Sequence, residues 1–206
     1  MAGLVQMAVE DAAAALVNGN AALAADVVAR DDEIDELEVT VERTAIDLLS
    51  LYQPIAGEFR LALMVVKVNN ELERIADGAA NVAERVPALL AECDDVGEPY
   101  RLPGELAELA RATAELTRRT IRAFNFVDVP QAQAVIAGDD RVDALYGQVV
   151  QSALSDMRRA DGRTDRDLQH IMIAKNLERV GDHCTNVAED IVYIKRGEIV
   201  RHRSFA

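Results

Sequence analysis

Apolar residues recur along this chain in steps of three and four, the spacing of an amphipathic helix and not the period of two of a half-buried strand. Leu61, Val65, Val68, Leu72, Ile75, Ala79, Val82 and Val86 trace one seam; Ile173, Leu177, Val180, Cys184, Val187, Ile191 and Ile194 trace a second. A shorter seam precedes each: Ile34, Leu37, Val41, Ala45 and Leu48 before the first, Val142, Leu145 and Val149 before the second. A third helix opens each set. One runs from Ala2 to Val17 and stops at Asn18-Gly19-Asn20. The other starts after Pro103, carries Leu106, Leu109, Thr113, Leu116 and Thr120, and ends between Val127 and Pro130. Pro54 precedes the first long seam, Thr164 suits the N-cap of the second, and Glu92 to Pro103, with Gly97 and Pro99, reads as a connector.

The two sets are copies of one another. Asn70-Glu71-Leu72-Glu73-Arg74-Ile75-Ala76-Asp77 returns as Lys175-Asn176-Leu177-Glu178-Arg179-Val180-Gly181-Asp182, and Asn81-Val82-Ala83-Glu84 as Asn186-Val187-Ala188-Glu189, each residue 105 positions from its partner. In the preceding helix Asp31-Asp32 pairs with Asp139-Asp140 and Leu37 with Leu145, 108 positions apart. Loops absorb a length change that helices cannot, so the three missing residues place the turns at Tyr52 to Gly57 and at Asp161 to Thr164. The expected fold is all-α: two tandem three-helix bundles related by internal pseudo-symmetry, 1–95 and 96–206.

Composition agrees. Half of the 206 residues are hydrophobic, only 4% are aromatic and Trp is absent, so the core must be built from Ala, Val and Leu. The net charge of −14 argues against a nucleic-acid surface and leaves cations or basic partners as the natural counterparts. Only the end of the chain, Lys195-Arg196 and Arg201-His202-Arg203, is locally basic. Cys93 and Cys184 lack metal-ligand spacing, and Cys184 falls on a core stripe, so neither a disulfide nor a thiol nucleophile is expected. The longest apolar run, Leu61 to Val68, is interrupted by Lys67, and the N-terminus lacks the features of a signal peptide. A cytoplasmic protein without membrane insertion is the expectation.

The acids carry the chemistry. Glu73 and Asp77, and again Glu178 and Asp182, stand four apart on a helix, where like charges repel by a few tenths of a kcal/mol. Asp31 and Asp35, and Asp139 and Asp143, repeat that spacing on the preceding helices. At 100° per residue Glu73, Asp77, Asn81 and Glu84 project opposite the seam, on the outer wall of the bundle. Asp35 lies about 19 residues before the hairpin turn and Glu73 about 19 after it, so an antiparallel pair brings them level. Four carboxylates per copy thus converge. All-oxygen donors suit magnesium, manganese, calcium or iron, and zinc less well without His or Cys. His183 follows Asp182, but its counterpart is Gly78, so a symmetric site cannot depend on it. The plainer alternative is a solvated acidic face with Lys175 bridged to Glu178 and with Arg74 and Arg179 neutralising their neighbours. His170, in the order Asp167-x-x-His170, reads as a helix-surface residue.

These residues resemble the duplicated signature of the PhoU family of phosphate-transport regulators: Leu72-Glu73-Arg74-Ile75-Ala76-Asp77 and Leu177-Glu178-Arg179-Val180-Gly181-Asp182-His183, with Gln53-Pro54, Phe59-Arg60 and the two Asp-x-x-x-Asp segments in matching order. The resemblance implies metal ions or clusters on the outer surface, of iron, manganese, magnesium or zinc, held by Asp31, Asp35, Glu73 and Asp77 in one unit and by Asp139, Asp143, Glu178 and Asp182 in the other. It also implies a cytoplasmic homodimer and negative regulation of the phosphate-starvation response. The partners it implies are a PstB-like ATPase of the phosphate ABC transporter and a PhoR-like sensor histidine kinase. Ala76 and Gly78 depart from the more family-like Gly181 and His183, so unequal sites are expected, and the first helix is expected to be shorter than its family counterparts. A carboxylate-bridged di-iron enzyme would need two Glu-x-x-His motifs facing the core, and none occurs. A metal-free helical partner-binding module is the remaining alternative. No Gly-rich phosphate loop or Ser/His/Asp arrangement supports catalysis.

Overall fold

The computed structural model describes residues 1–97, 99–159 and 164–196. Among them are seven helices: α1 (Ala2–Asn18), α2 (Ala21–Tyr52), α3 (Ala56–Ala83), α4 (Val86–Val96), α5 (Gly104–Phe126), α6 (Val129–Arg158) and α7 (Thr164–Arg196). Helices α1, α2 and α3 pack as one antiparallel trio and α5, α6 and α7 as another, joined through α1 against α5 and α3 against α7. Helix α3 runs antiparallel to α7: going up α3, Lys67 meets Asp190 and Glu71 meets His183, and just past its end Arg85 meets Gln169. One continuous apolar core passes through both trios, from Val5 and Val68 to Ile173 and Val187.

The helix ends follow local chemistry. Gly19 closes α1 in the left-handed conformation (φ 62°), and Asn20 caps α2 by accepting the Leu23 amide at 3.1 Å. The repeat does the same with different residues. Asp128 caps α6 by accepting the Gln131 amide, also at 3.1 Å, and the residue before it, Val127, takes φ 47°. A β-branched residue pays steric strain there that a glycine avoids.

The structure corrects the sequence reading at one boundary. The seam through Val86 does not stay in a single helix: α3 ends at Ala83, and Val86 opens α4. Pro87 has no amide hydrogen to continue α3, but it is tolerated in the first turn of a new helix. Its counterpart in the second copy is Val192, and α7 runs on without a break. The connector read from Glu92 onward therefore begins inside α4. The second hairpin turn at 161–163 and the basic residues Arg201-His202-Arg203 lie outside the described residues. Helix α7 begins at Thr164, the residue read as its N-cap.

Candidate metal centre

In the first trio, α2 supplies Asp31 and Asp35 and the antiparallel α3 supplies Asp77. One oxygen from each lies within 4.8 Å of the others. Glu73, one turn away on α3, forms an ion pair with Arg74 Nε at 3.2 Å, and Arg74 also approaches Asp77 at 3.6 Å. The cluster resists ionisation. Burial, then Asp35 and Asp77, push the Asp31 carboxyl up to about 6. Burial and Asp77 likewise raise Glu73, with Arg74 opposing.

The second trio repeats the plan with α6 and α7. Asp139, Asp143, Glu178 and Asp182 are close enough to perturb one another. Burial, then the neighbouring carboxylates, push Asp139 up to about 6, partly offset by the Thr185 hydroxyl. Asp143 and Asp182 are raised by burial first and by Glu178 next. Among the described residues, however, no three of these carboxylates reach the close spacing of the first cluster. Lys175 donates to Glu178 at 2.6 Å while lying over the Tyr146 ring at 5.5 Å; its counterpart in the first copy is the uncharged Asn70. The second cluster thus carries an internal cation.

The two glutamates are recessed further than a helical projection implies, while Asp35, Asp143 and Asp182 are exposed as it expects. The Glu178 side chain is only 15% exposed and that of Glu73 only 21%. The face opposite the core seam is not free outer wall, because the partner helix of each hairpin packs along its flank. Gly181 sharpens this. A Cβ there would stand 2.8 Å from Asp139 Oδ1, so the glycine lets that carboxylate press against the α7 backbone. Asp139 Oδ1 is buried without a hydrogen-bond partner among the described residues. Partly exposed carboxylates that repel one another, with an orphaned oxygen and only oxygen donors, fit a hard multivalent cation.

Two expectations are adjusted. His183 turns toward α3, its Nδ1 at 2.8 Å from Glu71 Oε2, which also accepts from Asn186 at 3.0 Å. It joins the trios instead of standing free beside Asp182. The signal was present in the repeat, since Glu71 and His183 both break it, against Asn176 and Gly78. His170 is not a surface residue: it is 6% exposed, and burial and then Arg166 lower its imidazole to about 4. Cys184 is a core residue as read, fully buried beside Thr117 Oγ1 at 3.5 Å, with its thiol pushed up to about 11.

The PhoU domain family matches this chain twice, over residues 1–86 and 106–191, in register with the two trios. The chain belongs to the PhoU family. It is 35% identical over 204 residues to the phosphate-specific transport system accessory protein PhoU homolog of Zymomonas mobilis, covering 99% of this chain and 84% of that protein. The homolog of Aquifex aeolicus is 37% identical over 203 residues, covering 98% and 90%. Among solved structures, PhoU from Pseudomonas aeruginosa superposes with a TM-score of 0.87 at 32% identity, over 96% of this chain and 93% of that one. The phosphate transport system regulatory protein PhoU of Streptococcus pneumoniae, at 22% identity and a TM-score of 0.85, shares the fold. The PhoU family consists of accessory and regulatory proteins of phosphate transport, not enzymes, and this chain has a role in that regulation. Among the described residues no helix is long and apolar enough to cross a membrane.

Proposed function

We propose that this PhoU protein is a metal-binding, cytoplasmic negative regulator of the phosphate-starvation response, acting as a homodimer that links the phosphate ABC transporter to its sensor histidine kinase. The observation that carries the metal part is the convergence of Asp31, Asp35 and Asp77 from two helices, with no basic residue among the described residues bridging Asp31 or Asp35. Asp31, Asp35, Glu73 and Asp77 would hold one ion or cluster, and Asp139, Asp143, Glu178 and Asp182 the other. Bound iron, manganese, magnesium or zinc would supply positive charge that removes the repulsion and pins α2 to α3 and α6 to α7. The protein's own residues do the rest: Arg74 and Lys175 trim the charge of each cluster, and Glu71 with His183 ties one long hairpin to the other.

The test has two arms. Glu178→Ala with Asp182→Ala should remove one set of ions by elemental analysis and leave a folded helical protein; unchanged metal content rejects the site. Deleting the gene should make a phosphate-responsive reporter constitutive in rich medium, and unchanged repression rejects the regulatory role. Association with the purified ATPase and kinase of the same system tests the link.

A further inference from the structure

The duplication inverts its charge on the side where α1 lies against α5. Arg118, Arg119 and Arg141 of the second trio stand where the first has Glu10, Asp11 and Glu33, each 108 positions earlier. Among the seven described helices α5 alone is net positive, with four arginines against three glutamates; α2 carries nine acids against two arginines. The exchange also removes an internal contact. Arg30 pairs with Asp11 at 2.9 Å in the first trio, but Gly138 replaces Arg30 in the second. Among the described residues Arg119 then reaches no acid and donates to the Ala134 carbonyl at 3.5 Å. The exposed Arg111 and Arg122 likewise meet no carboxylate there. One scaffold thus stands with either sign of charge on this side, so folding does not require the arginines.

The placement of the two signs selects the partner. Tyr100, four residues before α5, donates to the Leu16 carbonyl near the end of α1, so α1 and α5 run antiparallel. Glu10 and Arg118 line the shallow groove between them, whose floor includes Ala13, Ala14 and Ala114. They do not pair within the chain: Glu10 accepts from Gln6, and Arg118 turns to Glu115. A twofold axis along this groove, parallel to the helices, lays α5 of one copy on α1 of the other. Glu10 of each copy then meets Arg118 of the other, and every opposite-charge contact occurs twice. A twofold axis across the helices would instead set arginine against arginine. Helices α1 and α5, about 25 and 35 Å long and together about 20 Å wide, offer roughly 600 Å² before α2 and α6 add their flanks. A standard interface takes about 800 Å² from each partner.

We propose that two copies of this chain associate through their α1–α5 sides about a twofold axis parallel to the helices, the acids of each copy against the arginines of the other. This deepens the homodimer part of the functional reading and rests on it, but does not need the metal clusters. Sedimentation of the full chain measures assembly. Glu10→Arg and Arg118→Glu, each alone, set like charges across the axis and should weaken the dimer at least tenfold. Mixing the two variants restores both contacts, because native Glu10 meets native Arg118 and the new arginine meets the new glutamate. Native mass spectrometry with one variant isotope-labelled should show the mixed dimer dominating. A contact inside one chain could not be rescued by mixing. If circular dichroism reports lost helix in a variant, wild type still decides: raising NaCl from about 50 to about 500 mM should weaken its dimer at least tenfold. A salt-independent dimer, variants that assemble like wild type, or a mixture no tighter than its parts overturns this face and leaves the homodimer standing. A wild type that stays monomeric rejects the homodimer reading, and this face with it. If the variants dimerise normally while Arg118→Glu loses the purified transporter ATPase or kinase, the arginines serve a different protein and the proposal falls.

Discussion

The upper end of the α2–α3 hairpin and its counterpart in α6–α7 derive from one duplicated plan, yet one cleft is open and apolar and the other closed and polar. Val41 and Leu48 line an open groove, with Leu48 43% exposed, whereas Val149, the counterpart of Val41, is 3% exposed; Ala45 and Ala153 are buried alike. Across the second cleft, where the first has Ala62 and Val65, stand the buried Asp167 and His170. Helix α4 and Arg85 pack against the start of α7. What lies over a cleft, not the cleft's own periodicity, decides whether its residues form core or surface. The acid clusters teach a similar lesson. Asn70 leaves the first set of carboxylates uncompensated at this position, while Lys175 partly neutralises the second.

The sharpest test of the contrast is to place a charge in the closed cleft. Ala153→Glu buries an unpaired carboxylate and should lower the urea-unfolding free energy by about 4 kcal/mol. A loss below about 1 kcal/mol would show the second cleft to be as open as the first.

Next is His170. Its folded value is lowered to about 4, so between about 6.5 and 4 the unfolded chain binds a proton that the native chain refuses. Stability is then lost as pH falls through that window, by up to about 3 kcal/mol. Asp31 and Asp139, raised to about 6, act in the opposite sense, the native state gaining as pH falls below 6. The difference between wild type and His170→Gln isolates the histidine; a flat difference from pH 7 to 4 removes this assignment.

At the join of the trios a Cβ on Gly78 would stand 2.5 Å from Val180 Cγ2. Gly78→Ala should cost about 2 kcal/mol, with part of it restored by Val180→Ala in a double-mutant cycle. Additive losses would mean that the two residues do not meet.

A smaller effect changes sign with metal. In chelator, Asp31→Asn should stabilise the protein by about 1 kcal/mol, after discounting its raised pKa for solvent screening. With manganese in excess the same substitution should destabilise relative to wild type. Stabilisation under both conditions would leave the first cluster as an acidic face without an ion. Smallest of all, Leu48→Glu in the open groove should move stability by less than about 0.5 kcal/mol. A loss matching that of Ala153→Glu would erase the difference between the clefts.

Much of this was legible before any coordinates. The seams located all six long helices, and Gly19, Asn20 and Pro54 marked their ends, because caps and turns are local chemistry. The level placement of Asp35 with Glu73 followed from helix rise and one hairpin turn, and the structure brings Asp35 together with Asp31 and Asp77. Helix α4 was missed although Pro87 announced it. His170 was misplaced because its burial comes from helices packed against α7, elements distant from it in sequence. Glu71 with His183 escaped because that pair spans the two copies, and a repeat analysed within each copy does not see across them.

By itself the sequence determined what depends on short-range periodicity: helix identity, the duplication, the direction of each hairpin and the acids that share a level. Tertiary structure decided what depends on covering. It determined how far the carboxylates recede between helices, which of them meets a lysine, and that α3 lies against α7 through Gly78. Burial and its electrostatic consequences are set by neighbours that no local pattern names.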